Sequence, residues 1–326
     1  MPGNVIVLGS LMTDLVGYAT RLPTPGESLP GNDFQTFQGG KGCNQAVAAA
    51  RCGAHVALIG RVGADSFGES FFPTLASEHI DATHITRDQQ TGTGVALILI
   101  GADSGQNMIL ALPRANLTIT PDETTRALDA LAATHAPTES TPTIFLAQLE
   151  TNVAAVEAAL RHAHSLGMTT ILNTAPIPNR PLAPDMFPLL DLLIANEVEA
   201  TALTDAAIDD PASAQAACQQ LLTQGVSAAI VTLGAQGAVW AAQRGPLAAS
   251  GEQQWGMLTP FPVRAIDATA AGDAFCGALA AGLANGLPAD EALRRANAAG
   301  ALATTRKGAL PSLPTAEEID ALLAHS

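Results

Sequence analysis

Lysine is nearly missing from this chain: of its 15 basic residues only Lys41 and Lys307 are lysines, and a glycine follows each. Basic charge is scarce altogether, with 30 acidic residues against those 15 and a formal net charge of −15 over 326 residues. A surface that holds nucleic acid or an anionic membrane rewards a basic footprint, so this balance counts against both and favours small-molecule partners. No apolar run approaches the roughly 18 residues of a membrane span, and no charged N-terminal stretch leads into a long apolar one. The expectation is a soluble, cytoplasmic protein without an export signal. The four cysteines, Cys43, Cys52, Cys218 and Cys276, show neither C-x-x-C spacing nor a zinc-type histidine pattern, which fits a reduced compartment without structural disulfides. His162 and His164, two apart, do not share a helical face and read as a solvated helix end rather than a metal pair.

What the chain does have is alternation. Short aliphatic runs at Val5 to Leu8, Val56 to Ile59, Ile144 to Leu149, Thr169 to Leu172, Leu192 to Ala195 and Ala229 to Leu233 are separated by alanine-rich stretches with helical spacing. That pattern predicts an α/β chain. The segment opening at Thr151 places Val153, Val156, Leu160 and Ala163 on one face before Gly167, a capped amphipathic helix. Two stretches break the rhythm: residues 15 to 38, rich in Pro-Gly turns, and residues 92 to 112, where Val95 to Ile100 and Met108 to Leu112 flank a Gly/Asp/Ser turn at 101 to 105. Together they predict a small separate β-sheet, placed to cover a site or to extend an edge. The length suits one large globular unit, or a main domain with a small appendage.

In open parallel sheets ligands bind beyond the carboxyl ends of the strands. Asp14, Glu150, Asn173, Asn196 and Thr232 are expected at that edge. The strongest local signal is Asp267-Ala268-Thr269-Ala270-Ala271-Gly272-Asp273, a loop of small residues running into a helix whose Phe275, Ala278, Leu279, Gly282 and Leu283 share one face. The first turn of such a helix offers unpaired amides to an anion such as phosphate, and small side chains let the anion approach. Asp273 would set a carboxylate beside it, suited to orient an attacking hydroxyl or take its proton. The second Gly-rich element, Gly39-Gly40-Lys41-Gly42-Cys43-Asn44, opens a small-residue helix from Gln45 to Arg51. It lacks Walker A spacing, and Gly9-Ser10-Leu11-Met12 lacks the G-x-G-x-x-G of a dinucleotide site, which disfavours an NAD-dependent dehydrogenase.

These motifs, in order and nearly end to end, resemble the ribokinase-like (PfkB-type) sugar kinases. The resemblance is carried by Val7-Leu8-Gly9-Ser10 with Asp14, Pro23 to Glu27, the Gly-Gly-Lys-Gly-x-Asn-Gln run at 39 to 45, and Thr93-Gly94-Val95-Ala96. It continues through Gln148-Leu149-Glu150, Asn196-Glu197-x-Glu199, Thr232-Leu233-Gly234 with Gly237, Ala270 to Asp273, and Thr305 to Ala309 with Pro311-Ser312. It implies a three-layer α/β sandwich around a mostly parallel sheet, a single kinase domain over residues 1 to 326, with a β-sheet lid formed by insertions at about 15–38 and 92–114. The implied reaction is ATP-dependent phosphorylation of the 5-hydroxyl of D-ribose or a related pentose, with Mg2+ and an activating K+, in a homodimer joined through the lids.

By the same resemblance Met12, Asp14, Gly40, Lys41, Gly42, Asn44 and Glu150 would contact the sugar. Asp273 would be the base, with Ala270, Ala271 and Gly272 forming the backbone anion hole. Asn196, Thr232, Leu233, Gly234, Gly237, Gly272 and Asn297 would line the nucleotide site, and Glu199 would act near the phosphates through magnesium and water. Asp267, Thr269, Ala303, Arg306, Gly308 and Ser312 would surround potassium, mostly through carbonyls. Three positions depart from the family pattern: Met12 stands where an asparagine is common, Ala268 where a threonine is usual, and Arg114 where glycine is common. Met12 and Arg114 touch the selective region, so a fructokinase, deoxyribokinase or nucleoside kinase is the alternative, with a catalytically silent sugar-binding regulator as the reading from another class. Arg114 is read as a solvated lid residue rather than an anion reader.

Overall fold

The computed structural model describes residues 2–101, 103, 106–135, 142–178, 180–248 and 253–325. Their strands are β1 (Asn4–Leu8), β2 (Met12–Ala19), β3 (Asp33–Gly39), β4 (His55–Gly63), β5 (Ile85–Asp88), β6 (Gly94–Gly101), β7 (Asn107–Leu112), β8 (Thr143–Gln148), β9 (Thr169–Asn173), β10 (Leu192–Asn196), β11 (Ala228–Thr232), β12 (Ala238–Ala242) and β13 (Gln254–Leu258). The helices are α1 (Lys41–Arg51), α2 (Ser66–Ser77), α3 (Pro121–Ala132), α4 (Val153–Ser165), α5 (Glu197–Thr204), α6 (Pro211–Thr223), α7 (Ala271–Ala284), α8 (Ala289–Ala303) and α9 (Ala316–Ala324).

Nine strands form one sheet in the order β13-β12-β11-β10-β9-β8-β1-β4-β5, parallel except for β12 and β13. The six predicted runs are its centre. They read as continuous apolar stretches because both faces are covered. On β1, Val5 and Val7 enter a core shared with Val47 of α1, Leu279 of α7 and Leu293 of α8. Ile6 and Leu8 point the other way, into a core with Leu128 of α3, Val156 of α4 and Leu221 of α6. Helices on both faces of a mostly parallel sheet make a three-layer α/β sandwich. Among the described residues no helix is long and apolar enough to cross a membrane.

The second sheet runs β3-β2-β6-β7, with β2 antiparallel to β3 and parallel to β6. β6 and β7 form the expected hairpin, closed by Gly101 N donating to Gln106 O at 2.9 Å; of its turn, residues 102, 104 and 105 lie outside the described residues. The register divides this sheet into two apolar faces. Met12, Asp14 and Val16 of β2 share one with Ala96, Ile98 and Ile100 of β6, and Leu97 and Leu99 lie on the other with Leu110 and Met108 of β7.

Asp14 therefore sits on the small sheet, not at the carboxyl edge of the large one. Helix α1 starts at Lys41 rather than Gln45, with Gly40 as its N-cap at φ 89°. His162 and His164 lie in the last turn of α4, as expected of a helix end, and His162 Nε2 meets Asp129 Oδ1 at 2.6 Å.

Candidate active site

Three glycines let the start of α1 butt against the turn that leaves β1. A Cβ on Gly42 would lie 2.4 Å from the Gly9 carbonyl carbon, and one on Gly40 would lie 2.7 Å from Met12 N. One on Gly9 would fall 2.0 Å from Gln148 Oε1. The close approach brings Cys43 N to Ser10 O at 2.9 Å and Ser10 Oγ to Glu150 Oε2 at 2.5 Å. The Lys41 amide donates to the same Oε2 at 3.0 Å, so the carboxylate is seated on the positive end of α1. Gly42 acts through this packing and does not line the site.

A cavity of about 640 Å³ opens above this turn. Met12, Asp14, Gly40, Lys41, Asn44 and Glu150 line it, and Asp267, Thr269, Lys307 and Gly308 form its far rim. A second cavity, about 200 Å³, lies beyond the carboxyl ends of β9, β10 and β11, between Asn173, Asn196, Glu199, Thr232 and the first turn of α7. Lys41, Ala270 and Asp273 belong to both. The two spaces meet at the Asp273 carboxylate.

Helix α7 begins after Ala270, which holds φ 60° without the freedom of a glycine, a strain of about 1–2 kcal/mol that sets the entry of the loop. A Cβ on Gly272 would meet nothing within 4 Å, so the space before the first turn is open to a ligand. The Gly272 and Asp273 amides lie in that turn, where no i−4 carbonyl of the helix reaches them. The Ala271 amide is instead turned to Ala268 O at 3.3 Å.

Asp273 is buried and accepts at both oxygens: Asn44 Nδ2 donates to Oδ2 at 2.8 Å and Gln45 Nε2 to Oδ1 at 2.9 Å. Burial, then the charges of Glu150 and Asp273, push the Asp14 carboxyl up to about 7. Burial works against the charged form of Lys41, but Asp273, Glu150 and Glu199 outweigh it and raise the ammonium above its usual value.

Glu199 is buried and raised by that burial, and its two oxygens cap Asn196, from N at 3.0 Å and Nδ2 at 2.9 Å. Among the described residues no group of three or more His, Cys, Asp and Glu is placed to hold a metal. One buried carboxylate with amide neighbours suits a divalent ion that arrives with phosphates and keeps its waters. The far rim is built differently. Asp267 spends its carboxylate on the Thr269 amide at 2.9 Å and the Gly308 amide at 2.9 Å, which closes the loop and leaves carbonyl oxygens, the donor type for a monovalent cation. Ala303 and Ser312 are buried behind it, and Arg306 turns away to Glu318 of α9.

Leu233, Gly234 and Gly237 form a tight turn after β11, with Leu233 N on Gly237 O at 2.8 Å, and Asn297 donates to Thr259 O at 2.7 Å. These four stand outside the second cavity. Arg114 is also outside both cavities and donates to Thr93 O at 3.1 Å, from the short helix that follows β7. Residues that the sequence did not single out for the site are Ser10, Gln45, Gln148 and Asn116. Asn116 pairs with Leu11 through Leu11 N to Oδ1 at 2.9 Å and Nδ2 to Leu11 O at 3.0 Å, which ties β7's exit to the turn that leaves β1. Lys307, between Arg306 and Gly308 of the set expected around potassium, lines the larger cavity.

The model of the pfkB family carbohydrate kinases matches residues 3–316. A ribokinase of Haemophilus influenzae is 36% identical over 326 residues, covering 100% of both chains. A deoxyribokinase of Salmonella typhi is 31% identical over 321 residues, covering 98% of this chain and 99% of its own. Among solved structures, Arabidopsis thaliana ribokinase complexed with ribose and ATP superposes with a TM-score of 0.86 at 26% identity, over 100% of each chain.

Proposed function

The chain belongs to the pfkB family of carbohydrate kinases, and from that premise we propose that it transfers the γ-phosphoryl group of ATP to the 5-hydroxyl of D-ribose. The observation that carries this reading is the meeting of two cavities at Asp273. A sugar held in the larger one by Asp14, Asn44 and Glu150 presents a hydroxyl to Asp273 from one side. A triphosphate entering past Asn196 and Thr232 presents its γ-phosphorus from the other. The hydroxyl oxygen attacks phosphorus, the bond to the β-bridging oxygen breaks to leave ADP, and the hydroxyl proton passes to Asp273 Oδ2. Asp273 sits in the first turn of α7, and in a loose transition state its alignment counts for more than its basicity. The Gly272 and Asp273 amides stabilise the equatorial oxygens.

Glu199 and Asn196 would hold, through water, the magnesium that comes with ATP, which supplies neutralisation of the phosphate oxygens. The carbonyls around Asp267, Thr269, Ala303, Arg306, Gly308 and Ser312 would hold potassium, which supplies a fixed positive charge beside the α7 turn. The small sheet is read as the lid, and its outer apolar face supports a homodimer. A second reading, a kinase of 2-deoxyribose, is favoured by Met12, buried in the cavity wall with no hydrogen bond to offer a hydroxyl. The retained Asp273 with its anion turn argues against a silent regulator, which has no use for both.

Coupled ADP release measured with ribose, 2-deoxyribose, fructose and nucleosides, with and without K+, tests the proposal. Ribose is expected to give the highest kcat/KM. Ribose inert beside an active acceptor would overturn the substrate assignment and leave the kinase standing.

A further inference from the structure

Behind Asp273 runs a chain of buried side-chain amides, two of which line neither cavity. Gln45, fully buried on α1, donates through Nε2 both to Asp273 Oδ1 at 2.9 Å and to Asn173 Oδ1 at 3.1 Å. Its Oε1 accepts from Gln148 Nε2 at 2.6 Å, and Asn173 Nδ2 donates onward to Ile194 O at 3.2 Å. The chain thus ties α1 and α7 to the ends of β8, β9 and β10.

Its direction is fixed by chemistry. A side-chain amide has one donor end and one acceptor end. Reversing Gln45 would face its oxygen to the Asp273 carboxylate and its NH2 to that of Gln148, replacing attractive contacts with repulsive ones. Gln148 follows the same order although this leaves its buried Oε1 unpartnered against Gly9. An orphaned buried acceptor costs about 1–3 kcal/mol, and the fold accepts that cost rather than reverse the chain. Two acceptors at the Gln45 NH2, Asp273 Oδ1 and the Asn173 Oδ1 that Ile194 O holds in place, set this order.

We infer that Gln45 is a positioning residue of phosphoryl transfer: its amide, aligned by Gln148 and Asn173, fixes Asp273 Oδ1 as an acceptor and leaves Oδ2, on the Asn44 side, to face the sugar hydroxyl. The inference rests on the reading of Asp273 as the base. The other ionisable groups facing Asp273 are Asp14 from β2, Lys41 and Cys43 from α1, Glu199 from α5 and Cys276 from α7 itself.

Gln45→Met removes the donor at matched length, Gln45→Glu sets a second carboxylate beside the first, and Gln148→Met leaves the Gln45 oxygen without its guide. Steady-state kinetics across pH, with melting temperature and the fraction of active sites from burst amplitude, reads all three. Gln45→Met should lower kcat per active site about 10–100-fold while the KM values for sugar and ATP stay within about threefold. Gln45→Glu should move the acid limb of kcat up by about one pH unit or more, because neighbouring carboxylates resist double ionisation, and regain turnover as pH rises. Gln148→Met should lower kcat several-fold in the same sense. Variants whose active sites turn over as in the parent protein, with a superimposed pH profile, would overturn the inference, and Gln148→Met decides alone if the Gln45 variants do not fold. Asp273→Asn in the same assay separates the two readings: full turnover there removes the base, whereas its inactivity beside unaffected Gln45 variants removes only the positioning role.

Discussion

Ser10 and Glu150 are joined side chain to side chain, Oγ donating to Oε2 at 2.5 Å, and the Lys41 amide reaches the same oxygen at 3.0 Å. The two residues, 140 positions apart in sequence, follow the ends of β1 and β8 and aim the carboxylate into the larger cavity. Ser10→Ala removes one charge-assisted bond, about 1.5–3 kcal/mol, and frees Glu150 to swing. The KM for ribose should rise about 10-fold or more, with the KM for ATP unchanged, in initial-rate measurements.

Asp14 gives a pH signature of opposite sign in binding and in stability. Its carboxyl is raised to about 7 by burial and then by Glu150 and Asp273, against an ordinary value of 3.8. The folded state therefore binds this proton more tightly than the unfolded one, and stability falls as pH rises from about 4 to 7. Asp14→Asn should raise the melting temperature by a few degrees at pH 8, with the gain vanishing near pH 4 in calorimetric scans. A sugar hydroxyl, however, donates best to the carboxylate. The KM for ribose in the unmodified protein should climb about tenfold per unit below pH 7, and Asp14→Asn should lose ribose binding at every pH.

How far the chain could be read before its fold was seen follows from which contacts are local. β1, β4 and β8 to β11 stood out because strands buried on both faces are unbroken apolar runs. β12 did not, since Ala238-Val239-Trp240-Ala241-Ala242 has the composition of a helix turn and becomes a strand by pairing with β11 and β13. β13, with alternate residues exposed and a central Gly256, carries little apolar signal of its own. The Gly39–Asn44 turn and the Ala270–Asp273 turn were legible because anion-binding helix starts are written in consecutive residues. Ser10, Gln45 and Gln148 were not, because their partners lie 140, 228 and 103 positions away and each looks locally like an ordinary strand or helix residue. Lys307 reached the cavity for the same reason, by the packing of its loop against Phe37 of β3 at Gly308.

Asp273→Asn keeps the size of the side chain and its place in the first turn of α7, but an amide oxygen cannot take the hydroxyl proton. It also turns an NH2 toward Asn44 or Gln45, each of which donates to the carboxylate. The kcat should fall about 10²–10⁴-fold, the range for losing a general base, while ribose and ATP protect the variant against thermal unfolding much as they protect the parent protein. Protection without turnover would separate the loss of chemistry from loss of the site.

The small sheet is apolar on its outer face as well as on the face toward the cavity. The register sets Phe34, Gly17, Leu99 and Met108 side by side across all four strands, with Leu97 and Leu110 in a neighbouring row. Phe34 is 63% exposed, Met108 55% and Leu110 56%, although the inner face of the same sheet already covers the cavity. A four-stranded sheet apolar on both sides is poorly suited to stand alone in water, and a second copy of the same face is the self-complementary cover available to a homodimer. Leu99→Asp places a charge in the centre of that face, on the side away from Ile98 and the cavity. With the proposed homodimer joined through this face, light scattering on a sizing column should show the parent protein as a dimer and Leu99→Asp as a monomer, and the KM for ribose should rise because the small sheet loses its support over the cavity. A Leu99→Asp protein that stays dimeric would place the subunit contact elsewhere.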